Sequence, residues 1–227
     1  LKGLKILNKD QIKEYEPYVN GLKAIHVPQA GITDYKLVSE KIFEILKNKK
    51  VEFLFKTRVV NIINGSNSNI VVTESSKKII SKYVINVAGL YSDKLARINF
   101  KTDYKIIPFR GEYYNLKPSA YHMVKNLIYP VPNPDFPFLG VHFTRRIDNS
   151  IESGPNAVFA FSREGYKIST INLKELFESI TYIGFLKLIK MYWKEGIIEI
   201  YRSLSKRAYL NSLQKLIPQI KISDIVS

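Results

Sequence analysis

The chain has 227 residues and is 45% hydrophobic and 12% aromatic, which is enough for one large or two small domains and excludes global disorder. It has no cysteine, which excludes disulfides and thiolate metal sites, and its three histidines form no zinc motif. The formal net charge of +15 would suit nucleic acid or an anionic membrane, but the lysines are scattered and no nucleic-acid-binding motif accompanies them. We therefore expect neither a metal site nor a nucleic-acid partner.

The first hundred residues alternate predicted helices and strands. A short helix is expected over 8–19, and an irregular segment leads from it into a longer helix that begins at a cap, Thr33 or Asp34. Three strand-like runs follow, and the sequence "NGSNSN" over 64–69 predicts a hairpin turn between the first two. The last run, over 83–87, is almost entirely apolar, which predicts a strand buried on both faces of a parallel sheet.

That last strand runs into a glycine turn and a helix start, in the sequence "KYVINVAGLYSD" over 82–93. A strand, a glycine turn and a helix N-terminus form the crossover that binds phosphate groups in dinucleotide-binding folds. The usual G-x-G-x-x-G fingerprint is missing, because none of the eleven glycines makes even its G-x-G part. Taken alone, the turn at Ala88 and Gly89 is weak evidence for a cofactor site.

From residue 104 the pattern changes to strands with long proline-rich turns, which predicts an antiparallel sheet. The last third reads as helices that each bury one apolar face. Its most apolar window, 180–193, is too short to span a bilayer and carries Lys187 and Lys190. The residues expected on buried helix faces include Leu173, Leu176, Phe177, Ile180, Ile197, Ile200, Tyr201 and Leu204.

Six segments occur in this order: "GITDY", "NVAGLYSDKLAR", "IIPFRGEYYNL", "LIYPVPNPDFPFLGVHFTRRID", "GPNAVFAFSREGY" and "LQKLIPQI". Together they resemble the flavin-dependent L-2-hydroxyglutarate dehydrogenases and oxidases, within the wider family of D-amino-acid-oxidase-like FAD enzymes. The run over 107–166 carries the most specific part of the resemblance. The implied fold is mixed α/β (α+β), with an incomplete FAD-binding doubly wound sheet and a mixed antiparallel substrate-domain sheet with helices.

The resemblance implies an organisation and a reaction. Residues 1–100 would belong to the FAD-binding domain, 101–172 to the antiparallel sheet of the substrate domain, and 173–227 to a helical segment that packs on it. Hydride would pass from C2 of L-2-hydroxyglutarate to FAD, and the electrons would pass on to a quinone, an electron-transfer protein or oxygen. The alternatives are a related enzyme acting on an amino acid or glycerol 3-phosphate, and a non-enzymatic basic binding protein.

The chemistry of a dicarboxylate substrate fits residues in the matching segments. Two carboxylates are bound best by guanidinium forks, which makes Arg110, Arg145 and Arg163 candidates, with Arg110 counted among the catalytic residues. Tyr114 and Tyr129 are candidates for holding a carboxylate or the alcohol oxygen.

The candidate base is His142, because removal of the alcohol proton needs a group that titrates near neutral pH. In "GVHFTR" this histidine alternates with Val141 and Phe143 on a predicted strand. It would therefore face away from the apolar pair and into a pocket. A satisfied structural histidine is the alternative that the residues alone leave open.

The implied cofactor is FAD, with Val59, Ala88, Gly89 and Tyr91 lying against it. The family's fingerprint segment and its C-terminal return to the flavin are missing from this sequence. We therefore expect the chain alone to bind FAD weakly or not at all and to be inactive, since pyrophosphate is held by the fingerprint's backbone amides. A complementary chain is an expected partner, and the expected location is the cytoplasm, with peripheral binding at the inner membrane face as an alternative.

Overall fold

The computed structural model describes residues 2–132, 134 and 138–226, and three antiparallel sheets organise this part of the chain. The first pairs two strands, the second has the order β3-β4-β5, and the third has the order β7-β8-β6-β9. The strands are β1 (Lys5–Asn8), β2 (Lys23–His26), β3 (Val59–Ile63), β4 (Asn69–Thr73), β5 (Lys78–Ser81), β6 (Phe109–Leu116), β7 (His142–Arg145), β8 (Ile151–Phe159) and β9 (Ile225–Val226). The predicted mixed α/β class, with an antiparallel sheet in the second half, is confirmed.

The α-helices in the described residues are α1 (Lys9–Tyr15), α2 (Tyr35–Asn48), α3 (Ser92–Asn99), α4 (Leu173–Ile180), α5 (Ile183–Leu204) and α6 (Lys206–Leu213). Four of these six helices begin at a polar side-chain cap, and α3 and α5 begin without one. Asp34 is the cap of α2, because its carboxylate accepts hydrogen bonds from the backbone amides of Lys36 and Leu37. Asn8 and Gln11 form a capping box at the start of α1.

The main core lies between the third sheet, α6 and the N-terminal unit of β1, α1 and β2. Its members come from both ends of the chain and include Leu7, Ile12, Phe143, Ile151, Tyr209 and Leu213. The first twenty residues therefore share their core with the four-stranded sheet, while the predicted domain boundary near residue 100 stays a prediction.

The segment 83–87 differs from its prediction. It joins none of the sheets in the described part of the chain, and Ile85 and Val87 are 84% and 85% exposed. The prediction of a strand buried on both faces is therefore wrong for this structure. An apolar run becomes a central strand only when strands pair with both of its edges and layers cover both faces, and the described residues supply neither.

Helix α4 also departs from the predicted pattern. Its apolar residues Leu173 and Phe177 are 77% and 65% exposed, whereas Glu175 and Ser179 are buried. Glu175 is held inside by polar partners: it accepts a hydrogen bond from the Arg163 amide at 2.9 Å and forms an ion pair with Lys94 at 3.3 Å. A buried carboxylate must be paired, so these contacts fix which side of the helix faces inward.

Candidate functional site

The side of the third sheet that faces away from the main core, which we call the open face, has two glycines at its centre, Gly111 and Gly154. A Cβ atom at Gly154 would lie 2.5 Å from Cδ1 of Tyr113, and one at Gly111 would lie 3.0 Å from its Cε2. Gly154 also has a φ of +149°, a conformation that residues with side chains rarely adopt. The absence of side chains at both positions therefore lets the Tyr113 ring lie against the backbones of β6 and β8.

Replacing Gly154 with alanine should destabilise the protein by about 1–3 kcal/mol, because the new methyl group overpacks against Tyr113 and strains the backbone. The free energy of unfolding in urea measures this. Gly196→Ala is the matched control, since no atom lies within 4 Å of the position of its Cβ. The control should gain about 0.5–1 kcal/mol from removing a glycine inside a helix. Equal changes in the free energy of unfolding for the two variants would contradict a close contact between Tyr113 and the backbone at Gly154.

Alternation along β6 determines which tyrosine of "EYY" reaches the open face: Tyr114 lies on the core side with Leu116, and Tyr113 lies on the opposite side with Gly111. Strand β8 carries one extra residue opposite 112–114, where the register of the two strands shifts. Tyr114 packs into the core, with its ring centroid 4.6 Å from that of Tyr209. Tyr113 lies over Gly111 and Gly154 on the other side. The sequence nominated Tyr114, whereas the tyrosine that the fold places on the open face is Tyr113.

His142 is buried and held in a defined orientation. Its Nδ1 lies 3.0 Å from the Gly140 carbonyl oxygen, and since a carbonyl only accepts, Nδ1 must carry a proton. Its ring stacks on that of Tyr129, with centroids 4.0 Å apart and planes 19° apart. Val141 and Phe143 lie in the core, so the histidine faces the side that strand alternation predicts.

Electrostatics favour the neutral form of His142. Burial lowers its pKa below the ordinary value, and the hydrogen bond to Gly140 and the charge of Glu152 oppose that shift only in part. In the neutral ring with a proton on Nδ1, Nε2 is an acceptor. The side chain therefore has the protonation state that a general base needs at neutral pH.

Glu152 and Tyr113 complete this cluster. Burial raises the pKa of the Tyr113 hydroxyl, and Glu152 and Tyr129 raise it further. Glu152 itself is paired with Arg146 at 3.4 Å. Sequence reasoning missed both Tyr113 and Glu152. The signal for Glu152 was available, because it precedes Gly154 by two residues on the same strand and so shares its face.

The three nominated arginines are each engaged within the protein. Arg110 donates from Nε and Nη2 to Oε1 of Glu112, at 3.1 and 2.8 Å. Arg145 donates to the backbone carbonyls of Tyr121, Val124 and Lys125. Arg163 forms a two-point ion pair with Asp93, at 2.5 and 2.8 Å. In this structure the three guanidinium groups thus contact the protein's own oxygens, and their role in binding substrate carboxylates stays a prediction.

Arg163 fixes the glycine turn that the sequence associates with a cofactor. Besides Asp93, it donates to the carbonyl of Leu90, and its guanidinium carbon lies 5.8 Å from the centroid of the Tyr91 ring. Asp93 also accepts a hydrogen bond from the Ile106 amide at 3.1 Å. This buried pair ties the start of α3 to the segment that follows β8.

Three of the four residues nominated for cofactor binding, Ala88, Gly89 and Tyr91, lie in or directly after this turn. Ala88 and Gly89 are exposed, and Gly89 has a φ of +53° with no atom within 4 Å of the position of its Cβ. Tyr91 ends the short 3-10 helix that follows, and Val59 begins β3, against which α3 packs. An exposed turn with open space at its glycine fits the close approach of an extended cofactor.

A groove of about 910 Å³ lies between the N-terminal unit and the loop 125–132. Tyr129 and Arg145 line it, together with His26, whose Nδ1 is buried and has no hydrogen-bond partner in the described residues. The ring of His26 lies 4.5 Å from that of Tyr15. The sequence left His26 as a structural or surface residue, and this groove makes it a further candidate.

Comparison with known proteins places these features in context. The model of the DAO family, described as FAD dependent oxidoreductase, matches residues 1–221. The L-2-hydroxyglutarate dehydrogenase of Indibacter alkaliphilus is 49% identical and aligns with 100% of this chain and 57% of its own length. The mitochondrial L-2-hydroxyglutarate dehydrogenase of Homo sapiens is 40% identical, with coverages of 99% and 51%. The chain thus spans about half the length of the curated relatives it matches.

Solved structures with a similar fold are more distant in sequence. The L-proline dehydrogenase of P. horikoshii superposes with a TM-score of 0.57 at 18% identity, over 82% of this chain and 49% of that one. The glycine oxidase of Bacillus cereus gives 0.56 at 17% identity, over 81% and 48%. At these identities the likeness supports the fold alone.

Proposed function

Since the chain belongs to the family of FAD dependent oxidoreductases, we propose that it forms part of an enzyme that oxidises L-2-hydroxyglutarate to 2-oxoglutarate. The resemblance inferred from the sequence is thereby confirmed at the level of the family. The observation that carries the proposal is His142, a neutral histidine anchored to a carbonyl on the open face of the third sheet. The names of the relatives supply the substrate.

Each residue of the open face has a role in this proposal. Nε2 of His142 accepts the proton of the substrate alcohol, and the Glu152 carboxylate stabilises the imidazolium that forms. The hydroxyls of Tyr113 and Tyr129 donate hydrogen bonds to the alcohol oxygen or to a carboxylate. Their position beside the histidine orients the substrate before the proton moves.

FAD, when bound, supplies the hydride acceptor of the reaction. Val59, Ala88, Gly89 and Tyr91 are the residues of this chain that would lie against it: the last three form the exposed turn, and Val59 begins the strand against which α3 packs. The ion pair of Arg163 and Asp93 would hold that turn in place. The described residues contain no G-x-G sequence, so we propose that a complementary segment contributes the pyrophosphate contacts.

The proposal also concerns the electron acceptor and the choice of substrate. An oxidase or dehydrogenase of this kind needs an electron acceptor, for which a quinone, an electron-transfer protein and oxygen are the candidates. An amino acid or glycerol 3-phosphate is the alternative substrate. The cytoplasmic location stays a prediction, and the names of several relatives, including the human one, carry the word mitochondrial.

A chimera tests the proposal directly. In it, this chain replaces the matching 57% of the Indibacter relative, so that the remaining segments of that protein complete the fold. We expect the purified chimera to bind FAD and its flavin absorbance to bleach on anaerobic addition of L-2-hydroxyglutarate. The 227-residue chain alone should retain little flavin through gel filtration. A chimera that holds FAD but is reduced by proline or glycerol 3-phosphate instead would overturn the choice of substrate.

The pH dependence of the chimera provides a separate test of Glu152. Its carboxylate raises the pKa of His142, so Glu152→Gln should lower that pKa and move the acid limb of the flavin-reduction rate to lower pH. The rate should be constant near neutral pH in both proteins, because the base is already unprotonated there. Stopped-flow rates across the pH range measure the shift. An acid limb that stays in place, or moves to higher pH, would contradict this role.

A further inference from the structure

The groove between the N-terminal unit and the loop 125–132 leads to the open face of the third sheet. Tyr129 belongs to both, because it lines the groove and its ring stacks on that of His142, with centroids 4.0 Å apart. Pairing of the loop with β7 fixes this arrangement: the Ile128 amide donates to the Phe143 carbonyl at 3.0 Å, and the Phe143 amide donates to the Ile128 carbonyl at 2.9 Å. A ligand whose reacting carbon lies at His142 can therefore extend past Tyr129 into the groove.

Lys125 brings an unpaired positive charge to this groove. It is exposed, and its ammonium group forms no ion pair within the part of the chain that the structure describes. Arg145 lines the same groove, but its guanidinium group donates to backbone carbonyls. Among the described lining residues, Glu16 is the single carboxylate, and it accepts from the backbone amides of Lys125 and Asn126 and from the Asn126 side chain. The Lys125 ammonium group is thus available to an anion that enters the groove.

The backbone of Lys125 is held from both sides. Its amide donates to Oε2 of Glu16 at 3.0 Å, and its carbonyl accepts from Nε of Arg145 at 3.1 Å. Glu16 is buried, which protects the first of these contacts from solvent. Because the backbone is already fixed, less conformational freedom is lost when the side chain binds a ligand.

We infer that Lys125 binds the distal carboxylate of the substrate and so makes the enzyme select a dicarboxylate. The inference rests on the proposed oxidation of L-2-hydroxyglutarate. Lys125 precedes Ile128 by three residues, which places its backbone about 10 Å along the loop from the pairing beside His142. A lysine side chain together with the two methylene groups between C2 and the distal carboxylate spans that distance.

The same contact explains why a monocarboxylate would be a poor substrate. A distal carboxylate forms a charge-assisted hydrogen bond with the ammonium group of Lys125. L-2-Hydroxyvalerate has the same chain length but places a methyl group there, so the ammonium group would lose water without gaining a partner. A site built around a polar contact discriminates strongly against the analogue that lacks it.

A pair of substrates tests this role in the chimera. We expect Lys125→Met to lower kcat/KM for L-2-hydroxyglutarate by about tenfold to a hundredfold, the range of a hydrogen bond to a charged group, through KM rather than kcat. The value for L-2-hydroxyvalerate should stay the same or rise. Lys117→Met is the matched control, since it removes the same charge from an exposed position outside the groove. The control should keep the preference of the parent chimera for the dicarboxylate.

Reversal of the charge distinguishes recognition from poor folding. Lys125→Glu should oxidise 5-amino-L-2-hydroxyvalerate, which ends in an ammonium group, better than L-2-hydroxyglutarate, and poor folding cannot produce a gained preference. The inference is overturned if Lys125→Met keeps the parent's preference for the dicarboxylate. It is also overturned if Lys23→Met, which removes another charge from the same groove, loses as much, because the effect would then belong to the general field.

Binding without reaction separates this inference from the proposed reaction. Glutarate and valerate carry no alcohol to oxidise, and calorimetry measures their affinity for the chimera. Glutarate should bind the parent chimera more tightly than Lys125→Met, whereas valerate should bind both alike. Equal binding of glutarate to both proteins would overturn the inference. A chimera that binds glutarate through Lys125 but is not reduced by L-2-hydroxyglutarate would overturn the proposed reaction and support the carboxylate site.

Discussion

Replacing His142 with glutamine in the chimera is expected to slow flavin reduction by L-2-hydroxyglutarate by about a hundredfold to ten-thousandfold, the usual contribution of a positioned general base. The reason is geometric as well as electrostatic. The Gly140 carbonyl fixes the proton on Nδ1, burial keeps the ring neutral, and stacking on Tyr129 fixes its plane. Glutamine fills similar space but cannot take up the alcohol proton. Single-turnover flavin bleaching measures the loss at the step where the proton moves.

The matched control is His122→Gln, which alters an exposed histidine whose ring lies edge-on to that of Tyr18, with centroids 5.4 Å apart. This variant should reduce flavin at the rate of the parent chimera. FAD absorbance and substrate affinity should be nearly unchanged in His142→Gln, because the effect falls on the chemical step. If both histidine variants react at the parent rate, His142 is a structural residue, which is the alternative that the sequence left open.

The outward position of His142 was predictable, because strand alternation is a local rule and Val141 and Phe143 are strongly apolar. The choice between Tyr113 and Tyr114 follows from the same rule, because Tyr114 lies two residues before the apolar Leu116 and so shares its side of β6. What the sequence did not predict is the extra residue in β8 opposite 112–114, which shifts the register of the two strands.

The arginines illustrate a second limit of sequence reasoning. A guanidinium suits a substrate carboxylate and a protein carboxylate equally well, and the sequence does not tell which one it meets. Arg163 meets Asp93, which lies seventy residues earlier in the chain. The segment 83–87 shows a third limit. An apolar run indicates that burial is favourable, but it does not indicate which element of the fold covers it.

The ion pair of Asp93 and Arg163 should be the most costly polar contact to break. Asp93→Ala is expected to destabilise the chain by about 3–5 kcal/mol, because it leaves the Arg163 charge buried without its partner. Both side chains are almost inaccessible to solvent, and the carboxylate also accepts from the Ile106 amide. The free energy of unfolding in urea measures the loss. Glu44→Gln is the control, since its pair with Lys41 is exposed and should be worth at most about 1 kcal/mol.

The pH dependence of stability distinguishes this pair from simple packing. Burial alone would raise the pKa of Asp93, but the hydrogen bonds from Arg163 and the Ile106 amide outweigh it and the pKa is lowered. A carboxyl whose pKa is lower in the folded state stabilises the protein above its unfolded value of about 3.9 and loses that contribution as pH falls through the folded value. Asp93→Ala should therefore flatten the acid limb of the stability profile, and Asp93→Leu with Arg163→Met should recover much of the lost stability. A double variant as unstable as Asp93→Ala would show that the charges themselves are not the cause.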